Sequence, residues 1–263
     1  MSSTNSKLRL RVFAGPNGSG KSTIINAVRA YKVSQIPVDF GIYINADDIA
    51  KALQEDRFSF DPYRIEVADE EFSQIAVSSG LIHELFDQSQ FAACYRLTDN
   101  RIELVAPETN EQLAQIIADF LRKKLLLERK KFSFETVFSH PSKLDIMREA
   151  AAAGYKVYLY FVSTESPEIN KFRVHVRTQQ GGHDVPEDKI EQRYYRSLGL
   201  LFEAAQLAYQ VYFFDNSRDG EGFQLFAHFK KNAKGEKDWD ELNPDTVPNW
   251  FLEYYSNKVS ESR

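Results

Sequence analysis

The chain has 263 residues, enough for one large domain or one domain with a sizeable insertion, and 43% of them are apolar. Its 20 Phe and 13 Tyr argue against disorder, and a formal net charge of −5 gives no global basic field for DNA or RNA. A local cluster of Arg and Lys would still suffice for a small anionic substrate. Cys94 is the only cysteine, so an intramolecular disulfide and a cysteine-based zinc site are both excluded, which fits a reducing cytosol. The polar start, residues 1–7, lacks a signal-peptide core, and no run of ~18 apolar residues could span a membrane. The composition reads as cytoplasmic, with no membrane partner.

In chain order, residues 8–14 read as a buried strand, a glycine-rich loop follows at once, and 21–30 read as a helix. The loop is Gly15-Pro16-Asn17-Gly18-Ser19-Gly20-Lys21-Ser22, followed by Thr23. It matches G-x-x-x-x-G-K-[ST] in the strand–loop–helix setting that a phosphate cradle requires. Glycines let the backbone wrap around phosphate oxygens with its N–H groups inward, and the helix N-terminus adds partial positive charge. Lys21 is expected to reach the β- and γ-phosphates of ATP, and the Ser22 hydroxyl to ligate Mg²⁺.

Residues 41–45 form a short second strand, with Asp47 and Asp48 just beyond it. Segments 91–96 and 101–105 read as an inserted hairpin about 97–100. A helix over 110–130, a strand over 132–136, a helix over 142–153, a strand over 155–162 and helices over 166–179 and 186–208 follow. A strand over 210–214, another over 222–230 with a turn at 232–235, and a helix over 248–258 close the chain. The alternation predicts an α/β P-loop NTPase fold, a parallel sheet with helices on both faces. No linker stands out, so 1–263 reads as one domain with the hairpin insertion and a C-terminal extension over 218–263.

A kinase acting on a hydroxyl needs a carboxylate at the C-terminal edge of the sheet. Asp47 is the first candidate and Asp48 the second, and either could instead cap the helix near Ile49. Glu135 sits inside an apolar strand, where a carboxylate is costly unless paired or useful. It would bind an acceptor hydroxyl with Thr136, or serve as a plain ion-pair partner. Arg177, Arg193 and Arg196 are candidates for stabilising a transferring phosphoryl group. Arg193 and Arg196 share a helix face, which also reads as a solvated one. Gly181-Gly182 would be the flexible break of a closing lid, and His183 a packing residue. The stretch Arg122-Lys123-Lys124 with Arg129-Lys130-Lys131 reads as a solvated helix face rather than a nucleic-acid patch.

The loop wording also occurs in ABC ATPases, but their signature is absent and strand 157–162 ends in Ser163-Thr164 rather than an acid pair. The landmarks instead resemble the zeta toxin family of P-loop kinases. They are the loop, Asn45-Ala46-Asp47-Asp48, Phe134-Glu135-Thr136, Gly181-Gly182-His183-Asp184-Val185-Pro186, Arg193-Tyr194-Tyr195-Arg196-Ser197-Leu198 and Asp215-Asn216-Ser217. The resemblance implies an ATP- and Mg²⁺-dependent kinase with Asp47 as base, a small-molecule acceptor such as UDP-N-acetylglucosamine, and a cognate antitoxin protein as partner. The hairpin departs from the family pattern between Asp47 and Glu135. An ATP-hydrolysing switch acting on a protein or nucleic-acid partner is the alternative of another class.

Overall fold

The computed structural model describes residues 8–181 and 185–261. Strand β1 (Arg9–Ala14) leads through the glycine loop into α1 (Lys21–Ala30). A small ribbon, β2 (Lys32–Val33) and β3 (Ile36–Pro37), turns on Ser34 and Gln35. Then come β4 (Ile42–Ile44), α2 (Ala46–Gln54), α3 (Asp69–Val77) and α4 (Gln88–Ala93). Hairpin strands β5 (Tyr95–Thr98) and β6 (Arg101–Leu104) precede the long α5 (Asn110–Leu127) and β7 (Phe132–Thr136). The chain continues with α6 (Ser142–Ala152), β8 (Lys156–Ser163), α7 (Pro167–Gln179), α8 (Glu187–Gly199) and α9 (Leu201–Leu207). It ends with β9 (Gln210–Asp215), β10 (Gln224–Lys231), β11 (Lys237–Trp239) and a helical run of α10 (Asn249–Phe251), a π-helical stretch Leu252–Ser256 and α11 (Asn257–Glu261). The class is mixed α/β with mostly parallel strands flanked by helices. Its residues group into two compact units: one runs up to Phe40 and resumes at Glu135, and the other is Gly41–Phe134.

In the first unit β1 pairs parallel with β8 and β8 with β9, while β10 and β11 add antiparallel strands beyond β9. Strand β8 is buried from Val157 to Ser163 except at Tyr158, the near-continuous apolar run of a strand covered on both faces. Helices α6 and α9 pack on it and on each other. At the next strand, Phe213 is fully buried among Phe251 at 4.9 Å, Tyr255 at 5.2 Å and Phe229 at 6.2 Å between ring centroids. Truncating such a ring to Ala costs about 3–5 kcal/mol. The C-terminal helical run therefore closes this core rather than trailing from it.

In the second unit β4 and β7 pair in parallel, Ile42 with Phe132 and Ile44 with Phe134. Helix α5 fills the interior with Leu113, Ile116, Ile117, Phe120 and Leu121, all fully buried, and packs on α2 and α3. Phe60, Phe72 and Phe120 meet in tilted and edge-on contacts 5.1–6.1 Å apart. Cys94 is fully buried here, its thiol donating to the Phe91 carbonyl at 3.1 Å.

Four expectations change. The first hairpin strand starts at Tyr95, because residues through Ala93 form α4. A reciprocal cap holds that helix: Asp87 Oδ1 accepts from Gln90 N at 2.9 Å, and Gln90 Oε1 accepts from Asp87 N at 3.0 Å. The long helix expected over 186–208 breaks at Leu200, after Gly199, into α8 and α9. The last helix carries a π-helical stretch and continues to Glu261. The basic stretch is a solvated face only in part: Arg129 is exposed, but Arg122 is not. Arg122 is 4% exposed, pairs with Asp119 at 3.0 Å and lies over the Phe134 ring, while Lys124 meets Glu71 at 2.5 Å and Lys130 meets Glu128 at 2.6 Å. Burial pushes the Arg122 guanidinium down, opposed by Asp119.

Candidate phosphate-binding site

Three glycines of the loop have positive φ: Gly15 at 149°, Gly18 at 75° and Gly20 at 96°. Space reinforces the backbone requirement. A Cβ on Gly15 would stand 2.1 Å from the Val162 carbonyl oxygen, one on Gly18 2.6 Å from that of Asn170, and one on Gly20 2.3 Å from Asn216 Nδ2. The loop therefore lies directly on β8, α7 and the residue after β9, and only glycine admits that approach.

Polar side chains hold it there. Asn170, fully buried on α7, donates its amide to the Asn17 carbonyl and accepts from the Thr164 hydroxyl. Asn216 donates Nδ2 to the Ser19 carbonyl at 2.8 Å, and its own carbonyl accepts from Arg173 Nη1 at 2.6 Å. Arg173 also pairs with Asp219 at 2.6 Å. Asn170, Thr164 and Arg173 were not foreseen. The only signal for Asn170 in the sequence is a polar residue on the buried side of a helix. Asp215 and Ser217 bond each other at 2.7 Å, and Trp250 Nε1 donates to Asp215 at 2.9 Å, so this pair organises the end of β9. Lined by Asp215, Arg218, Glu221, Gly222, Phe223 and Gln224, a cleft of about 270 Å³ opens there.

Helix α1 has no side-chain cap, since Gly20 precedes it. The first N–H groups of a helix lack intrahelical acceptors, and an anion is the partner they favour. The Ser19 hydroxyl is fully buried and has no hydrogen-bond partner among the described residues. Lys21, 8% exposed, donates to the Pro16 carbonyl at 3.0 Å and stands 4.0 Å from Glu135 Oε1. Its head is thus folded over the loop, and Glu135 is its ion-pair neighbour. Ser22 and Thr23 are exposed on the first turn. Thr136 closes a turn through its hydroxyl, which accepts from Phe138 N at 3.1 Å.

Of the three arginines, Arg193 reaches the loop, its Nη1 3.5 Å from Asn17 Oδ1, the long end of hydrogen bonding. Arg177 and Arg196 are exposed on α7 and α8. Next to Arg193, Tyr194 is buried and donates to the Thr164 carbonyl at 2.7 Å, whereas Tyr195 is 47% exposed. Gly181 has φ 86°; Gly182, His183 and Asp184 lie outside the described residues. Asp47 and Asp48 belong to the other unit, exposed on the first turn of α2. The helix is capped by Asn45, whose Oδ1 accepts from Asp47 N at 3.0 Å, so neither aspartate caps it.

The residues fit a nucleoside triphosphate: a glycine-enforced loop, an uncapped helix start and a lysine folded over them. For a metal, the described residues contain no group of three His, Cys, Asp or Glu. The Ser22 hydroxyl, exposed beside the loop, is an oxygen ligand of the kind a hard cation such as Mg²⁺ takes.

No model of a known protein family matches the chain. An uncharacterized protein of Haemophilus influenzae is 33% identical over 63 residues, 24% of this chain and 45% of that protein. Among solved structures, a chain of the native AvrRxo1-ORF1:-ORF2 complex aligns with TM-score 0.52 and 14% identity over 88% of this chain and 60% of that one. The same complex with ATP aligns at TM-score 0.48 and 14% identity, over 90% and 61% of the two chains. A structure from the PezAT chromosomal toxin–antitoxin system of Streptococcus pneumoniae aligns at 0.46 and 13%, over 83% and 70%. The chain thus spans about three fifths of the AvrRxo1 chains and under half of the Haemophilus protein. At these identities the likeness is one of architecture: the chain has the α/β fold seen in the AvrRxo1-ORF1:-ORF2 complex.

Proposed function

We propose that the chain is an ATP- and Mg²⁺-dependent phosphotransferase of the zeta-toxin kind, moving the γ-phosphate to a hydroxyl of a small acceptor. The observation that carries this reading is the loop, where three glycines are enforced by positive φ and close approach, with Lys21 folded above it. Backbone N–H groups of the loop and α1 would hold the phosphates, Lys21 would neutralise the β- and γ-groups, and Ser22 would ligate Mg²⁺. We assign the nucleoside to the cleft that begins at Asp215. In this reading Glu135 and Thr136 border the acceptor, Arg193 with Arg177 and Arg196 stabilises charge on the transferring group, and Asp47 orients the acceptor hydroxyl and takes its proton. Asp48 is the substitute base. A nucleotide sugar such as UDP-N-acetylglucosamine is the first acceptor to try, and an antitoxin polypeptide the expected inhibitor.

The test is transfer of γ-labelled phosphate to a panel of nucleotide sugars, free sugars and oligonucleotides. Lys21→Ala should lower transfer at least ~100-fold while the protein stays folded by circular dichroism. Equal turnover in the variant would end the reading. ATP hydrolysis with no labelled acceptor anywhere in the panel would favour a switch instead.

A further inference from the structure

The starting edge of β1, β8 and β9 gathers positive charge. Arg9 lies opposite Lys156, Tyr158 opposite Gln210, and Gln210 opposite Lys230, so these side chains share one face. Arg11 stacks 4.5 Å over the Tyr158 ring, Lys156 Nζ lies 4.0 Å from the Tyr209 ring centroid, and Lys230 approaches the same ring at 6.0 Å. Among the described residues none of Arg9, Arg11, Lys156 and Lys230 pairs with a carboxylate. The acids on this face are Asp238, which lies opposite Lys230 on β11 and 3.5 Å from Asn232 Nδ2, and Asp240, which answers His228 at 2.8 Å. Burial pushes the Tyr209 phenol up, but Lys156 and Lys230 outweigh it and hold the phenol below its ordinary value. Lys230 is exposed, and Arg9, Lys156, Tyr158 and Tyr209 are half-buried. This local positive charge stands in a chain whose net charge is −5.

We propose that this face docks an acidic segment of a partner polypeptide, whose carboxylates pair with Arg9, Lys156 and Lys230. Arg11, 7% exposed, backs the face electrostatically and donates to the Tyr160 hydroxyl at 2.6 Å. The cations spread over four neighbouring strands, about 14 Å, which four to five residues of extended chain would cover. A basic face with tyrosines also suggests single-stranded nucleic acid, but bases need free ring faces on which to stack. Here those faces are taken: Tyr209 by Lys156 and Lys230, Tyr158 by Arg11, and Tyr160 with Tyr212 by each other, stacked 4.8 Å apart. What is left to read is charge, and carboxylates supply it.

The experiment titrates fluorescein-labelled dodecaglutamate and a labelled dodecathymidylate with the intact protein, at low and at physiological salt. Dodecaglutamate should bind, weaken as salt rises, and lose at least about tenfold affinity in Lys156→Glu/Lys230→Glu. The thymidylate should bind at least tenfold more weakly. Should the reversed pair fail to fold, Lys156→Gln/Lys230→Gln must still weaken binding at least about threefold. No binding of dodecaglutamate at low salt, equal binding by the variants, or thymidylate as the tighter ligand would each overturn the proposal. Lys21→Ala should bind the peptide like wild type, so a failed phosphotransferase reading leaves this surface standing.

Discussion

Asp47 and Asp48 take the second and third positions of α2, where a negative charge favours the helix dipole, while Asn45 does the capping. Charge removal at either aspartate should therefore leave the fold intact. Asp48 also acts on its surroundings: burial, then the charge of Asp48, pushes the Tyr63 phenol up to about 12. If Asp47 is the base, Asp47→Asn should cut transfer ~10²–10⁴-fold with ATP affinity nearly unchanged, since loop, Lys21 and Mg²⁺ supply the binding. Acceptor phosphorylation and ATP binding measured side by side for Asp47→Asn and Asp48→Asn decide which one works. Full transfer by both variants refutes a carboxylate base here, and lost ATP binding in both moves these residues to the metal. The motif residues Gly15 to Thr23 were legible because glycine, lysine and serine at that spacing serve one purpose between a strand and a helix. Asn170 and Thr164 were not, because a polar side chain that supports the loop from below carries no spacing rule.

Elements with a strong local signal came out where their patterns put them. Helix α1 and strand β7 have the expected bounds, and most other core strands shift by only a residue or so. No element was predicted over residues 55–90. Their structure rests on aromatic packing and on side chains reaching across, as at Asn100. Its Nδ2 donates to Asp61 Oδ1 at 2.6 Å and to the Ile65 carbonyl at 2.9 Å, and its Oδ1 accepts from Val67 N at 3.1 Å. Asn100 also holds φ 62° at the hairpin tip. Asn100→Ala should thus cost about 2–4 kcal/mol, from lost hydrogen bonds and a left-handed backbone without its Asn, read as a lowered denaturant midpoint. A loss under about 0.5 kcal/mol would mean that the hairpin is not stapled to 61–67. On the other unit, α7 and α8 pack through Val174, Val185 and Ile190, and Lys171 pairs with Glu191 at 2.5 Å. If these helices close over nucleotide, Mg-ATP should slow protease cleavage at 179–181 several-fold. Equal cleavage with and without it counts against closure.

At the scale of the whole molecule, the division into two units was invisible in composition. One boundary falls between Phe40 and Gly41 and the other inside β7, between Phe134 and Glu135, so no proline- or glycine-rich linker announces either. Fold class was legible because strand–helix alternation has few solutions. No helix among the described residues is long and apolar enough to cross a membrane. The chain's one thiol has a consequence for measurement. Cys94 is fully buried, and burial pushes its thiol up, away from the reactive thiolate. The native surface described is therefore silent to thiol reagents: Ellman's reagent should titrate no thiol in buffer and one in denaturant. Prompt reaction of the native protein would contradict that burial. A single cysteine introduced at an exposed site such as Arg196 or Lys189 would be the sole labelling position, with no native thiol to remove first. Fluorescence from that probe would follow movement of α8 against a dark background.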